Sequence, residues 1–255
     1  MNSAAIKAAA LRRACRAEWT KLRTDAGTWW LLLGLVAVTV SVGAATTGSV
    51  RDMDGGDPAR LALSGVMVGQ AIVAVLVVLS TSGEYSTGMI QLTLAAVPRR
   101  TTALAAKALV LGAVTAVASI AGVLGSLLAG HLLLPGTPAL TDAATLRAGL
   151  GTVLYLVLIA ELALGVGFAV RDGAVASGTV LALLYLFPLL SHVVTDPWLQ
   201  QQLARIGPMP AGLAIQATTG LDRLPIGPWA GLGVLALWAT AAVTLGTTLL
   251  QRRDT

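Results

Sequence analysis

Residues 61–82 read LALSGVMVGQAIVAVLVVLSTS, without one charged side chain. A helix needs about 20 apolar residues to cross a hydrocarbon core about 30 Å thick, and this run supplies them. Five other stretches have the same character, roughly 28–47, 103–130, 148–170, 174–194 and 227–250. Inside lipid each backbone N–H and C=O has to be paired within its own segment or barrel, so all six are expected to be α-helices. The chain therefore reads as all-α, a single transmembrane domain over 1–255 with six spans. The third is long enough to tilt. The fifth contains Pro188, where neighbouring helices can absorb a kink. No internal repeat is visible.

Composition points the same way. Of 255 residues, 56% are hydrophobic and 11% charged, where soluble domains carry about 25% charged residues. The mean hydropathy is +0.80. A lone cysteine, Cys15, excludes an internal disulfide. His131 and His192 lie far apart near span ends, so neither a metal site nor a catalytic set is expected. Small residues at Gly43–Ala45 follow the first apolar run as they would a signal peptide. The basic lead is too long for one and five spans follow, so the first run is expected to stay as a span.

The net charge of +5 is unevenly spread. With the N-terminus inside, the inner segments hold twelve of the 17 lysines and arginines and the outer loops five. That asymmetry predicts a multi-pass protein of the plasma membrane with both termini cytoplasmic.

Residues 4–24 lack proline and glycine and are rich in alanine, which favours helix. Leu11, Cys15, Trp19 and Leu22 share one face, and Arg12, Arg13, Arg16, Lys21 and Arg23 spread over the rest. The pattern predicts an amphipathic helix over 1–26 lying in the membrane plane, its basic residues near anionic head groups. A solvated basic tail is the alternative. Gly27 is expected to turn the chain, with Trp29 and Trp30 marking the interface. No nucleic-acid partner is expected, since the charges adjoin a span and no binding motif is present.

Between the second and third spans lies EYSTGMIQLTLAAVPRR, residues 84–100. As a helix it would place Tyr85, Met89, Leu92 and Ala96 on one face and Ile90, Leu94 and Val97 opposite. Two apolar faces suit a helix gripped by the bundle on one side and a docked partner on the other. An ordinary loop folded back on its own spans fits equally well. Pro98 ends any such helix, and Arg99 and Arg100 belong at the head groups. Glu84 could pair with an arginine of the N-terminal helix.

Glu161 is the one ionisable residue deep in a span, and Gln70 sits at comparable counted depth. Such groups either line a pathway or form an interhelical hydrogen bond, with the acid protonated. The outer segment 195–226 is rich in proline and glycine, and its PWLQQQLARIG suits a short surface helix. No G-x-x-x-x-G-K-[ST] loop occurs, and no inner segment is long enough for a nucleotide-binding domain. The chain is not expected to hydrolyse ATP alone.

Several short motifs, in this order and spacing, resemble the six-span permeases of type-2 ABC exporters, especially actinomycete forms. They are EWTKLRT (18–24), Gly69-Gln70, Glu84-Tyr85-Ser86-Thr87-Gly88, Ile90, Leu94, Pro98-Arg99-Arg100, Lys107, PMPAG (208–212) and RRD (252–254). Met89 and Gln91 depart from the pattern, where a threonine and a basic residue are common. The resemblance implies that 84–98 is a cytoplasmic coupling helix. Glu84, Tyr85, Thr87, Gly88, Met89, Gln91, Pro98, Arg99 and Arg100 would then meet a separate ABC ATP-binding subunit. It makes 1–26 an elbow helix, with Arg13, Glu18, Trp19, Lys21 and Arg23 as its marked residues, and has Glu84 hold elbow, span and coupling helix together. It implies a second permease, identical or related. The reading of Gln70 and Glu161 at the pathway or between helices rests on their depth in the spans, not on the resemblance. ATP and Mg would sit on the partner subunit, and this chain would bind no cofactor. The cargo would be an amphipathic small molecule, peptide or lipid, as in drug and antibiotic exporters. Two alternatives remain: a non-transporting scaffold or sensor of the same fold, or a proton-coupled transporter using Glu161.

Overall fold

Aspartate decides where half of the described α-helices begin. Asp25, Asp57, Asp142, Asp172 and Asp196 each stand just before a helix and accept hydrogen bonds from its first free N–H groups. A short carboxylate at this position satisfies donors that have no partner inside the helix. Asp25 also accepts from the Thr28 hydroxyl, which with the Gly27 and Thr28 N–H groups holds its carboxyl below the usual range.

The computed structural model describes residues 3–50, 56–89, 91–92, 100–133 and 141–252, with side chains from residue 8 onward. All regular elements among these residues are helical. They are α1 (Ser3–Thr24), α2 (Ala26–Ser49), α3 (Pro58–Ala62), α4 (Val66–Ser86), α5 (Arg100–Leu133), α6 (Ala143–Val170), α7 (Gly173–Val193), α8 (Pro197–Ile206), α9 (Pro208–Leu213) and α10 (Pro228–Arg252). Six are long and apolar enough to cross a membrane: α2, α3 with α4, α5, α6, α7 and α10. The protein is thus an all-α polytopic membrane protein, and its spans overlap all six expected ones.

Boundaries differ in instructive ways. The break after the N-terminal helix falls at Asp25, not Gly27, because the Asp25 carboxylate caps α2 and draws Gly27 into it. The second span enters through α3 and a 3-10 turn at Leu63–Gly65 before α4 proper. Pro188 lies within α7, which continues to Val193. The helix expected over 84–98 is divided. Glu84 and Tyr85 belong to the last turn of α4, Thr87 caps it, and Gly88 takes a left-handed φ of 71°. That conformation suits glycine and ends a helix cleanly. Met89, Gln91 and Leu92 are helical again beyond Gly88, and Ile90 and residues 93–99, with Pro98 and Arg99, lie outside the described residues.

The core centres on α6, which packs against α4, α5, α7 and α10. Its contact with α10 is backbone-close. A Cβ at Gly165 would fall 2.3 Å from the Ala242 carbonyl carbon, so only glycine permits this approach. The apolar interior includes Tyr155, Leu156, Ile159, Leu162 and Leu164 of α6 with Val73, Val77 and Val78 of α4. By contrast α7 and α10 bury only narrow stripes, Ala176, Val180 and Leu184 on α7.

The segment after α8 corrects the expectation of a plain outer loop. The helix α8 is present as expected and buries no residue. Then α9 and the 3-10 turn Ala214–Gln216 run back into the bundle, with Met209, Ala211 and Ile215 almost wholly buried. Gly231 and Gly151 make room for them. A Cβ at either would fall 2.0 Å from an atom of the re-entering segment, the Ala211 oxygen or Ile215 Cγ1 respectively.

Candidate functional site

One end of the bundle gathers α1, the close of α4, the start of α5, the α6–α7 turn and the close of α10. Here α1 turns Ala14, Glu18 and Leu22 inward, one buried residue per turn. This stripe shares only Leu22 with the expected Leu11–Cys15–Trp19–Leu22 face, of which Leu11 and Cys15 are partly buried. Trp19 stays half-exposed, and an acid occupies the centre of the buried contact.

Glu18 is paired. Its Oε2 lies 2.7 Å from Lys107 Nζ on α5, and its Oε1 lies 2.7 Å from Lys21 Nζ. Both lysines also reach Glu84 Oε1 on α4, Lys21 at 2.7 Å and Lys107 at 3.0 Å. Lys107 donates further to the Ser80 carbonyl at 3.3 Å. The four side chains close a neutral ring across three helices. Lys107, Glu18 and Glu84 are only 5–6% exposed, and Lys21 is half-buried. Burial opposes every charge here. Even so, Lys107 and Lys21 hold the Glu18 carboxyl below its ordinary range, and the two glutamates hold the Lys21 ammonium above its own. A ring of this kind is expensive to open. Removing one member leaves an uncompensated buried charge, at a cost of about 3–5 kcal/mol. Glu84 Oε2 has no hydrogen-bond partner among the described residues.

The expected partner of Glu84 was an arginine of the N-terminal helix, and the structure supplies Lys21 instead. The reason is angular. Arg12, Arg13 and Arg16 lie outside the 14–18–22 stripe, whereas Lys21 flanks it. Lys107, marked only by its place in the family pattern, proves to be the most buried cation of the ring.

Around the ring, Tyr85 meets Phe168 edge-on at 6.4 Å and lies beneath the Arg171 guanidinium at 5.2 Å. Arg171 itself takes a left-handed φ of 67°, and with Asp172 it makes the tight α6–α7 connection. Arg100 donates to the Leu250 carbonyl, tying α5 to the end of α10. Just beyond Gly88, Met89 and Leu92 are exposed, Leu92 at 71%, and Gln91 is exposed beside them. Arg13 and Arg23 lie on exposed faces of α1 and do not join the ring. The Arg23 carbonyl accepts from the Trp29 indole at 3.3 Å.

Gln70 and Glu161 are not brought together. Gln70 is fully buried, where it accepts from the Tyr155 hydroxyl and donates to Met209 Sδ at 3.1 Å and the Met67 carbonyl at 3.1 Å. Glu161 is half-buried beside Gly112 of α5. It lies six residues past Tyr155 on α6, about 9 Å along the axis at 1.5 Å per residue. Counting inward from loop arginines misjudged the depth, because α6 begins at Ala143 and α3 precedes α4. Gln70 therefore belongs to a packed polar contact, while Glu161 alone keeps an open side.

At the opposite end, Asp57 does more than cap α3. Its carboxylate also accepts from the Thr218 N–H, the Thr218 hydroxyl at 2.7 Å and the Thr219 N–H at 3.1 Å. Arg147 donates to the neighbouring Ala217 carbonyl. These contacts pin the end of the re-entering segment. Sequence reading missed the clamp, because its halves are 161 residues apart.

No protein-family model matches the chain, and no curated protein matches it either. The functional reading therefore stands on the residues themselves.

Proposed function

We propose that this chain is the membrane-spanning permease subunit of an ATP-driven ABC exporter, working with a separate ATP-binding subunit and a second permease. The observation that carries the reading is the buried ring Glu18–Lys21–Glu84–Lys107. It joins the N-terminal helix, the end of one span and the start of the next, immediately before a loop with exposed Met89 and Leu92. A transporter powered from outside the chain needs such a place. Force applied to the loop must move helices together, and a network of four charges transmits displacement between three helices better than greasy contacts that slide. In this reading the basic end is cytoplasmic, the membrane is the plasma membrane, and ATP and Mg are held by the partner. The sparsely buried faces of α7 and α10 leave room for a second permease. The cargo is amphipathic, because Glu161 is the one ionisable residue deep within an otherwise apolar span.

Glu161 favours a second reading, a proton-coupled transporter, since its carboxyl is half-buried at depth with no hydrogen bond or ion pair among the described residues. One experiment separates the two. The chain is co-expressed with the ATP-binding protein encoded beside its gene and purified in mild detergent. Co-elution with ATP hydrolysis that depends on the permease supports the exporter. A permease that elutes alone, with no hydrolysis, overturns it, and Glu161→Gln becomes the variant to assay for proton-driven transport.

A further inference from the structure

The inward stripe of α1 leaves a second stripe about 100° around the helix. Arg12, Cys15, Arg16 and Trp19 lie there, at i, i+3, i+4 and i+7. They do not touch the ring. They face a groove of about 690 Å3 between α1, α2 and α5. Its walls are almost entirely apolar, running from Trp29 and Val36 on α2 to Val117 on α5. The only charges on it are the two arginines at one end. Both are exposed, and neither guanidinium has an ion pair or hydrogen bond among the described residues.

This geometry has a chemical complement. A long apolar slot that opens at its head onto two guanidiniums one turn apart matches a lipid with an anionic phosphate. Guanidinium pairs bind phosphate oxygens with short, charge-assisted hydrogen bonds. The half-exposed indoles of Trp19 and Trp29 sit beside that head, as amphipathic rings do at the head-group level. A cationic amphiphile is repelled by the same pair, and a phosphocholine head group gains less from it, because its ammonium offsets the charge of its phosphate.

We infer that the α1–α2–α5 groove is a binding site for one anionic phospholipid, its phosphate on Arg12 and Arg16 and an acyl chain between α2 and α5. The lipid wedges α1 from the side flanking the Glu18–Lys107 contact, so it holds the N-terminal helix on α5. The inference rests on the groove and not on the exporter reading.

The test uses the full chain in mild detergent with phosphatidylglycerol or phosphatidylcholine added at equal mole fraction, and counts retained lipids by native mass spectrometry. The expected result is one phosphatidylglycerol per chain, retained over phosphatidylcholine by ~10-fold or more, as two arginines at an anionic surface imply. Arg12→Gln with Arg16→Gln should bring that preference to roughly twofold or less. Val117→Trp should empty the slot without touching a charge. Arg252→Gln, at the same end but outside the groove, should change nothing. Equal retention of the two lipids, or a preference that survives the double arginine change in a normally eluting protein, overturns the site. So does efficient oxidative cross-linking of chains through Cys15, which would put a second copy in the groove.

Discussion

Each end of this bundle is fastened by a carboxylate, but the two are fastened differently. Glu84 reaches two lysines on two other helices, and all its bonds are between charges on long side chains. Asp57 reaches two N–H groups and a hydroxyl on one loop, all neutral and close to the backbone. A short carboxylate on backbone donors fixes one geometry. Charges on flexible stems keep their attraction over a range of positions, because Coulomb energy falls gently with distance where hydrogen bonds fail. One end is thus a buckle and the other a joint. The contrast is what a transporter driven from one face requires.

The most direct way to break the joint is Lys107→Met. It leaves Glu18 and Glu84 buried with only half-buried Lys21 between them, so a loss of about 3–5 kcal/mol is expected, read as the fall in thermal unfolding midpoint. The comparison sharpens with amide swaps. Glu84→Gln removes one of the two carboxylates that the lysines share while keeping an oxygen for them, and should cost about 1.5–3 kcal/mol, the range for hydrogen bonds to charged groups. Asp57→Asn keeps one oxygen for the Thr218 and Thr219 N–H groups, lets the Thr218 hydroxyl turn to accept, and should cost about 1 kcal/mol through the lost Arg60 N–H bond. Equal losses for the two would erase the distinction.

How far the sequence foretold this can be judged from particular residues. The six spans were legible because length and apolarity are local properties. Glu18, Lys21 and Glu84 were legible as marked positions, but their ring was not, since it depends on which face α1 buries. Helical periodicity favoured the stripe with the most carbon, Leu11–Cys15–Trp19–Leu22, of which the structure buries Leu22 and partly covers Leu11 and Cys15. The structure buries the one containing Glu18, because Lys107 waits opposite it. The re-entering segment 208–217 was read as loop for a related reason. It is too short and proline-rich to signal a buried helix, and its room comes from Gly151 and Gly231 on other helices. Gln70 drew attention as a polar residue in a span. Its partner Tyr155, 85 residues away, had no local signal.

That pair gives a smaller test. Tyr155→Phe leaves the buried Gln70 oxygen without its donor and should cost about 1–2 kcal/mol with little change at the basic end, checked by hydrogen exchange in α4 and α6. The smallest effect expected is that of pH. Glu18 is held below the ordinary carboxyl value of about 4.3, so its contribution is full above that and fades only as pH falls through the lowered value. Lys21 is held above the ordinary lysine value of about 10.4, so its contribution is full below that and fades only as pH rises through the raised value. Between about pH 5 and 10 Glu18 and Lys21 should add no slope to the unfolding midpoint. Glu18→Gln should remove the acid limb.

The claim at the centre of the account is that the ring, and not the buckle, couples the chain to its energy source. ATP hydrolysis per mole of assembled complex, measured for Glu84→Gln and Asp57→Asn beside the unaltered protein, tests it most directly. The account predicts that permease-dependent hydrolysis falls by roughly tenfold or more in Glu84→Gln, a barrier change of about 1.4 kcal/mol or above, and stays near the unaltered level in Asp57→Asn. Assembled Glu84→Gln complex that hydrolyses ATP as fast as the unaltered one would contradict it.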